Sequence, residues 1–356
     1  MGCLAAALLM AHSDYATAYE KMLHGYSLQH WINDGFMAVF FFLVGLEIKR
    51  EVMGGELSEL RQALFPVLAA LGGMLVPALI YGTLNWNGMG KAGWAIPMAT
   101  DIAFALGVLA LLGQRAPISL KLFLSALAIV DDIGAVLVIA LFYSGSLSWL
   151  YLSGALAVSC ATLAAAAFFR IRNPFFYLLS LGLIWLCFVP SGVHATLAGI
   201  VAALLVPASP TGEKEPSPLE SLEEMLHPWV AYLILPAFVL ANAGIRLSGD
   251  MKSVIQDPVF LGTLCGLVLG KPLGILAFTW IGCTLRWAQK PENLCWNHIL
   301  GVGFIAGIGF TMSLFVSGLS FPESPHHLDT AKFAVISASF FAGILGLGLL
   351  HRICRK

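Results

Sequence analysis

The sequence predicts an all-α, polytopic membrane protein, and three observations carry that prediction. Of its 356 residues, 59% are hydrophobic and only 11% charged, with a mean hydropathy of +0.86; a soluble domain carries about 25% charged residues. The apolar residues gather into runs close to the roughly 20 residues that cross a bilayer as a helix. Inside several runs stand single charged residues that no helix requires. A charge at the centre of a membrane helix costs roughly 2.5 to 3.5 kcal/mol on insertion scales, so each such residue marks a function.

Residues 1–11 are apolar but too short to span, and they lack the positive start and cleavage site of a signal peptide. They read as the tail of a first helix whose start is missing. Full runs follow at about 30–50, 63–84, 94–112, 120–143, 150–169, 175–189 and 193–206. A polar loop over 207–225 separates these from runs at about 226–247, 259–285, 298–320 and 332–352. With the partial first helix, about 12 transmembrane helices result, forming a single transmembrane domain over 1–356. Numbering the loops alternately leaves only Lys21, Lys91, Arg246, Lys252 and Lys332 on the side opposite the termini, and Lys271 within a span. All other lysines and arginines fall on the side of the termini, so both termini are expected in the cytoplasm. The formal net charge of −1 comes without a basic block, and no nucleic-acid partner is expected. Seven scattered cysteines, Cys3, Cys160, Cys187, Cys265, Cys283, Cys295 and Cys354, show neither a CxxC nor an evident Cys/His ligand spacing. They read as inert thiols.

Asp131 and Asp132 are adjacent in the middle of the 120–143 run. Neighbours on a helix point about 100° apart, so the two can face one cavity with different partners: one a fixed counter-ion, the other a passing cation or proton. The plainer alternative is that both sit protonated against polar groups of neighbouring helices. In the 94–112 run, Pro97 interrupts the helical ladder just before Thr100 and Asp101. There an aspartate can neutralise the positive start of a half-helix, and Thr100 offers a hydroxyl or carbonyl to a small cation. Lys271 stands inside the 259–285 run, behind Gly262, Gly266 and Gly270, whose four-residue spacing lets another helix approach. An ion pair with an aspartate accounts for it better than snorkelling. The run over 298–320 is interrupted by Gly301, Gly303, Gly307 and Gly309. Interrupted segments at corresponding places in two halves point to an inverted-repeat transporter, with repeats at about 63–143 and 259–352. His194 and His227 each open a short run, where an imidazole can titrate near neutral pH. Glu47, Lys49, Arg50 and Glu51 read first as solvated charges at a helix end.

Five segments, Ala99 to Gly107, Ala128 to Ala135, Ser191 to Gly199, Gly270 to Gly274 and Gly307 to Ser313, resemble in order the signature segments of the bacterial NhaA sodium/proton antiporters. The resemblance runs from about Trp31 to the C-terminus. It implies inverted repeats with two interrupted, crossing helices near the paired aspartates. Asp132 would be the principal cation ligand and proton carrier. Asp131 would be a second titrating carboxylate, salt-bridged to Lys271 in one state. Thr100 and Asp101 would compensate the ends of one interrupted helix and line the site, and Gly307 and Gly309 would belong to the other. The transported Na+ or Li+ would sit at Asp132, Asp131 and Thr100. Positions linked to pH activation would map to Glu47, Glu51 and Glu223, with His227 nearby. The resemblance implies no cofactor, a bacterial inner-membrane location, sodium or lithium ions, protons and lipid as partners, and it leaves a homodimer open.

The expected activity is pH-dependent, electrogenic exchange of sodium or lithium for protons, since a buried carboxylate binds either a proton or a cation and each expels the other. A cation-coupled symporter of a small solute is the rival, but it needs a polar substrate pocket and few further polar groups lie at mid-membrane. An intramembrane aspartyl protease needs aspartates on two different helices, whereas these two share one. The chain is therefore not expected to be an enzyme.

Overall fold

The computed structural model describes residues 2–4, 7, 28–55, 57–208, 216–245 and 251–354. Most of the expected first helix, the tip of the 207–225 loop, and Lys21 and Arg246 lie outside the described residues. The described residues form helices joined by short connections, with no strand among them. In hydrocarbon a backbone must satisfy its own hydrogen bonds, and a helix does so within one segment.

In chain order the helices are α1 (Leu28–Gly54), α2 (Leu60–Asn85), α3 (Met89–Met98, wound as a 3-10 helix), α4 (Ile102–Ala110), α5 (Ile118–Phe142), α6 (Trp149–Phe169) and α7 (Pro174–Phe188). They continue with α8 (Leu197–Leu205), α9 (Pro218–Asn242), α10 (Met251–Gln256), α11 (Pro258–Thr284), α12 (Trp296–Ala306), α13 (Phe310–Ser320) and α14 (Pro325–Ile353). Seven are long and apolar enough to cross a membrane: α1, α2, α5, α6, α9, α11 and α14. Two bent pairs, α3 with α4 and α12 with α13, raise that to nine if each counts as one span. Helix α7 is apolar but shorter, and α8 has nine residues. Each full run expected from the sequence thus holds a helix or a broken pair. A multi-pass membrane protein accounts for the outward faces as well. Leu156, Phe168 and Phe169 of α6 are exposed, and only 17% of that helix's apolar window is buried, a patch that water would not tolerate.

Two local differences from the sequence expectation have simple causes. Helix α9 begins at Pro218, inside the expected 207–225 loop, because Ser217 and Glu220 form a reciprocal cap: Glu220 N–H donates to Ser217 Oγ (3.2 Å) and Ser217 N–H to Glu220 Oε2 (2.8 Å), with Pro218 at the first helical position. His227 is therefore an exposed residue within a helix and does not open one. The 193–206 run is helical only from Leu197, so His194 lies in the non-helical approach to α8.

The chain divides into two compact units, residues 1–55 with 136–244, and residues 56–135 with 245–356. In the first, α1 packs on α8 and α9, and α6 on α7. The α1/α8 approach depends on small residues: a Cβ at Gly199 would come within 2.2 Å of the Ala38 carbonyl oxygen, and one at Gly45 within 2.7 Å of the Ala203 Cβ. In the second, α2 packs on α11, and α12 on α11 and α14. Here α2 and α11 touch backbone to backbone, since a Cβ at Gly72 would lie 2.1 Å from the Gly274 carbonyl oxygen and one at Gly274 the same distance from that of Gly72. The second unit holds four of the five signature segments.

Candidate functional site

Helix α5 carries Asp131 and Asp132, 1% and 2% exposed. On α11, a π-helical turn over Gly266–Gly270 ends at Lys271, which is fully buried. The glycines of that turn admit α2 and α3: a Cβ at Gly266 would meet the Pro97 ring at 2.7 Å, and one at Gly270 would meet the Pro77 backbone at 3.0 Å. Lys271 Nζ donates to Asp131 Oδ2 at 2.7 Å and to the carbonyl of Met98, the last residue of α3. The ammonium thus joins a carboxylate to the negative end of a half-helix. It also senses the charge of Asp132. The other oxygen of Asp131, Oδ1, is buried and has no hydrogen-bond partner among the described residues.

Next to this pair the two broken spans meet. The chain bends by 45° between α3 and α4 and by 50° between α12 and α13. Four helix ends are thereby left with unsatisfied backbone groups inside the protein, and each break caps the other. Asp101 is the cap of α4, accepting from Phe104 N–H at 3.1 Å, and its second oxygen accepts from the N–H (3.0 Å) and the hydroxyl of Thr311 in the first turn of α13. One carboxylate therefore faces two positive helix starts. Asp101 N–H donates to the Ile308 carbonyl at 2.7 Å, and the Thr100 hydroxyl donates to the carbonyl of Ala306, which ends α12, at 2.9 Å. In return, Ser313 of α13 donates to the Ile96 carbonyl at 2.8 Å, and Ser339 of α14 accepts from Phe310 N–H at 3.2 Å. Gly307 and Gly309 have ordinary negative φ angles, so space and not backbone freedom requires them. A Cβ at Gly307 would lie 2.5 Å from the Leu267 carbonyl oxygen, and one at Gly309 2.1 Å from Ser313 Oγ.

In the first unit, the charges read as a solvated helix end form a paired group. Arg50 Nη1 meets Glu223 Oε1 at 2.5 Å and Arg50 Nη2 meets Glu51 Oε1 at 3.5 Å. Glu47 senses Glu223, Arg50 and Glu51, and Glu223 senses His227. Lys49 caps the end of α8, donating to the carbonyls of Leu204 (2.7 Å) and Val206 (2.6 Å). His194 stands apart from this group: its Nδ1 is 2.8 Å from Thr196 Oγ1, and its charged neighbours are Asp34 and His30.

The structure thus joins Asp131 to Lys271 and sets Asp101 and Thr100 at the crossing of the two breaks, Asp101 on Thr311 and Thr100 on the Ala306 carbonyl. It gathers Glu47, Glu51, Glu223 and His227, and it leaves His194 elsewhere. Sequence reasoning missed Arg50, Thr311, Ser313, Ser339 and the Met98 carbonyl as partners. Thr311 and Ser313 lie in a segment already singled out, but nothing local marked Ser339 or a carbonyl. Among the described residues, no group of three or more His, Cys, Asp or Glu side chains is placed to hold a metal ion.

The family profile described as Na+/H+ antiporter 1 matches residues 1–350. The chain belongs to the Na+/H+ antiporter 1 family. A relative called Na(+)/H(+) antiporter NhaA 2, from Pseudomonas syringae pv. syringae (strain B728a), is 49% identical over 361 residues, spanning 100% of this chain and 92% of that one. Proteins called Na(+)/H(+) antiporter NhaA from Dechloromonas aromatica (strain RCB) and Rhodospirillum rubrum are 47% and 48% identical, with 98% and 100% of this chain aligned to 90% and 94% of theirs. The resemblance read from five segments therefore extends to nearly the full length of these members of the Na+/H+ antiporter 1 family.

Proposed function

We propose that this chain is a transporter, not an enzyme, that exchanges Na+ or Li+ for protons across the bacterial inner membrane, with Asp131 and Asp132 as the groups for which cation and proton compete. The observation that carries this reading is the buried Asp131–Lys271 ion pair, with one Asp131 oxygen unpartnered and Asp132 beside it. Isolated, either ion would be costly to bury; paired, each is held at the ready for exchange. An entering alkali cation competes with the Lys271 ammonium for Asp131 and with a proton for Asp132. Its remaining ligands would be hydroxyl or carbonyl oxygens, Thr100 among them, or water, which suits a hard cation. The cross-caps at the breaks neutralise the exposed helix ends, so the aspartates carry the charge that changes during the cycle. More than one proton per sodium moves net charge, which makes transport electrogenic.

The same reading includes about 12 transmembrane helices in a single functional domain over 1–356, inverted repeats near 63–143 and 259–352, and both termini in the cytoplasm. Glu47, Glu51, Glu223 and His227 respond to pH as a group, with His194 as a separate titrating site, and a homodimer stays open as the assembly to test. A cation-coupled symporter remains the alternative, and no specific contact favours it. The deciding experiment uses everted vesicles from cells lacking their own antiporters. NaCl or LiCl added at alkaline pH should dissipate a preformed pH gradient, KCl should not, and Asp132→Asn should abolish the response while inserting normally. Retained sodium-dependent proton flux in that variant would overturn the assignment of Asp132.

A further inference from the structure

In the second unit, the end of α2 and the starts of α3, α11 and α14 surround a cavity of about 430 Å3, lined among others by Asn85, Trp86, Met89, Gly90, Asp257 and His327. A cavity of that size suits a small organic group. Asn85 is 3% exposed, and its Nδ2 donates to the carbonyls of Tyr81 (3.2 Å) and Pro258 (2.8 Å). Because both partners are carbonyls, the amide can point only one way. Its Oδ1 is turned over Gly90, where a Cβ would lie 2.5 Å from it, and no donor among the described residues meets it. Asp257, the residue before Pro258, commits one oxygen to the cap of α11, Oδ1 accepting from Val259 N–H at 2.8 Å, and keeps the other. His327 Nδ1 lies 2.7 Å from Ser324 Oγ and the ring stacks on Phe321, so Nε2 is the nitrogen left for a ligand.

An apolar stripe leads to this cavity. Leu71, Leu75, Leu79 and Trp86 recur on one face of α2 and are all exposed, as is Met89 at the start of α3. A stripe of leucines ending in an interfacial tryptophan is a bed for an acyl chain. We propose that the cavity takes the primary-ammonium head of a phosphatidylethanolamine-class lipid whose acyl chain follows that stripe. The ammonium brings N–H donors and a positive charge to Asn85 Oδ1 and to the uncommitted Asp257 oxygen, the strong, charge-assisted kind of hydrogen bond. A choline head has the charge but no N–H. A glycerol head has donors but leaves the negative phosphodiester uncompensated beside Asp257. Bound there, the ethanolamine head braces the start of α3, whose last carbonyl holds Lys271.

The test titrates the purified, delipidated full-length protein with phosphatidylethanolamine, phosphatidylcholine and phosphatidylglycerol of identical acyl chains and reads the first bound lipid by native mass spectrometry, with free ethanolamine as a soluble arm. Phosphatidylethanolamine should bind at least about tenfold more tightly than the other two lipids, the worth of a hydrogen bond to a charged group. Asp257→Asn keeps an oxygen to cap α11 and puts a donor in place of the second carboxylate oxygen. It should erase the headgroup preference while leaving the thermal midpoint of the lipid-free protein unchanged. Equal binding of phosphatidylethanolamine and phosphatidylcholine, a preference that survives in Asp257→Asn, or saturation by free ethanolamine at the lipid's own concentration would each overturn the proposal. These readouts involve no transport, so their failure would leave the exchange activity untouched.

Discussion

Lys271 shows how much one buried residue can be asked to hold. Its ammonium bonds a carboxylate on α5 and the carbonyl end of α3 while fully enclosed. Removing one partner of such a pair strands the other charge, at a cost of about 3–5 kcal/mol, whereas removing both with well-packed neutral groups can be nearly neutral. Lys271→Met should therefore lower the thermal midpoint of the detergent-solubilised protein sharply, and the double variant Asp131→Asn, Lys271→Met should recover most of the loss. A double variant as unstable as the single one would contradict the pairing. That an aspartate and a lysine stood in apolar runs was legible in the sequence. Which of the two aspartates takes the lysine could not be read from local properties, since adjacent residues share them and differ only in the side of α5 they occupy; the family resemblance alone pointed to Asp131, the residue that Lys271 meets.

At the scale of elements, the crossing of the two breaks depends on caps that each segment lends the other. Asp101 serves the starts of both α4 and α13. Loss of one helix cap costs about 1 kcal/mol and up to about 2, so Asp101→Ala should cost at least the sum of two caps, seen as lowered thermal stability even without sodium. Thr100→Val, which removes the hydroxyl on the Ala306 carbonyl at nearly constant shape, should cost about 1–3 kcal/mol, the desolvation penalty of a stranded acceptor. Close approach makes a second demand. A Cβ at Gly274 would collide with a helix backbone that cannot step aside as a side chain can, and Gly274→Ala should destabilise by about 1–3 kcal/mol. Both breaks were expected from Pro97 and from the glycines of the 298–320 run. The start of α9 was also written in the sequence, as Ser217-Pro218 followed by Glu220, and was hidden only by the polar residues before it.

For the whole molecule, the bilayer is the solvent that makes an exposed apolar surface stable and a buried charge informative. If cation and proton share the same carboxylates, acid must disfavour sodium, because a protonated carboxylate has no charge to offer. In the pH range where the site is mostly protonated, the apparent sodium affinity should fall about tenfold per pH unit for each proton displaced. Sodium titrations of proton flux across that range count those protons directly. A slope near two, together with a response to imposed membrane potential, would establish electrogenic exchange, since one net charge gains about 2.3 kcal/mol per 100 mV. A pH-independent sodium affinity would sink the competition mechanism.

By itself the sequence determined the solvent, the helical class, the places of the apolar helices, the two interruptions and the residues too costly to bury without purpose. These are local properties: hydropathy, helix period and breaking residues act within one segment, whose backbone must satisfy itself in lipid. Tertiary structure alone decided the pairings. Asp131 meets Lys271 across 140 positions of chain and Asp101 meets Thr311 across 210. Arg50 left the solvated group to hold Glu223, and two cysteines 59 positions apart in the sequence came to flank one imidazole. Contacts at such separations are made by how helices pack against one another, and no stretch of sequence carries that geometry in advance.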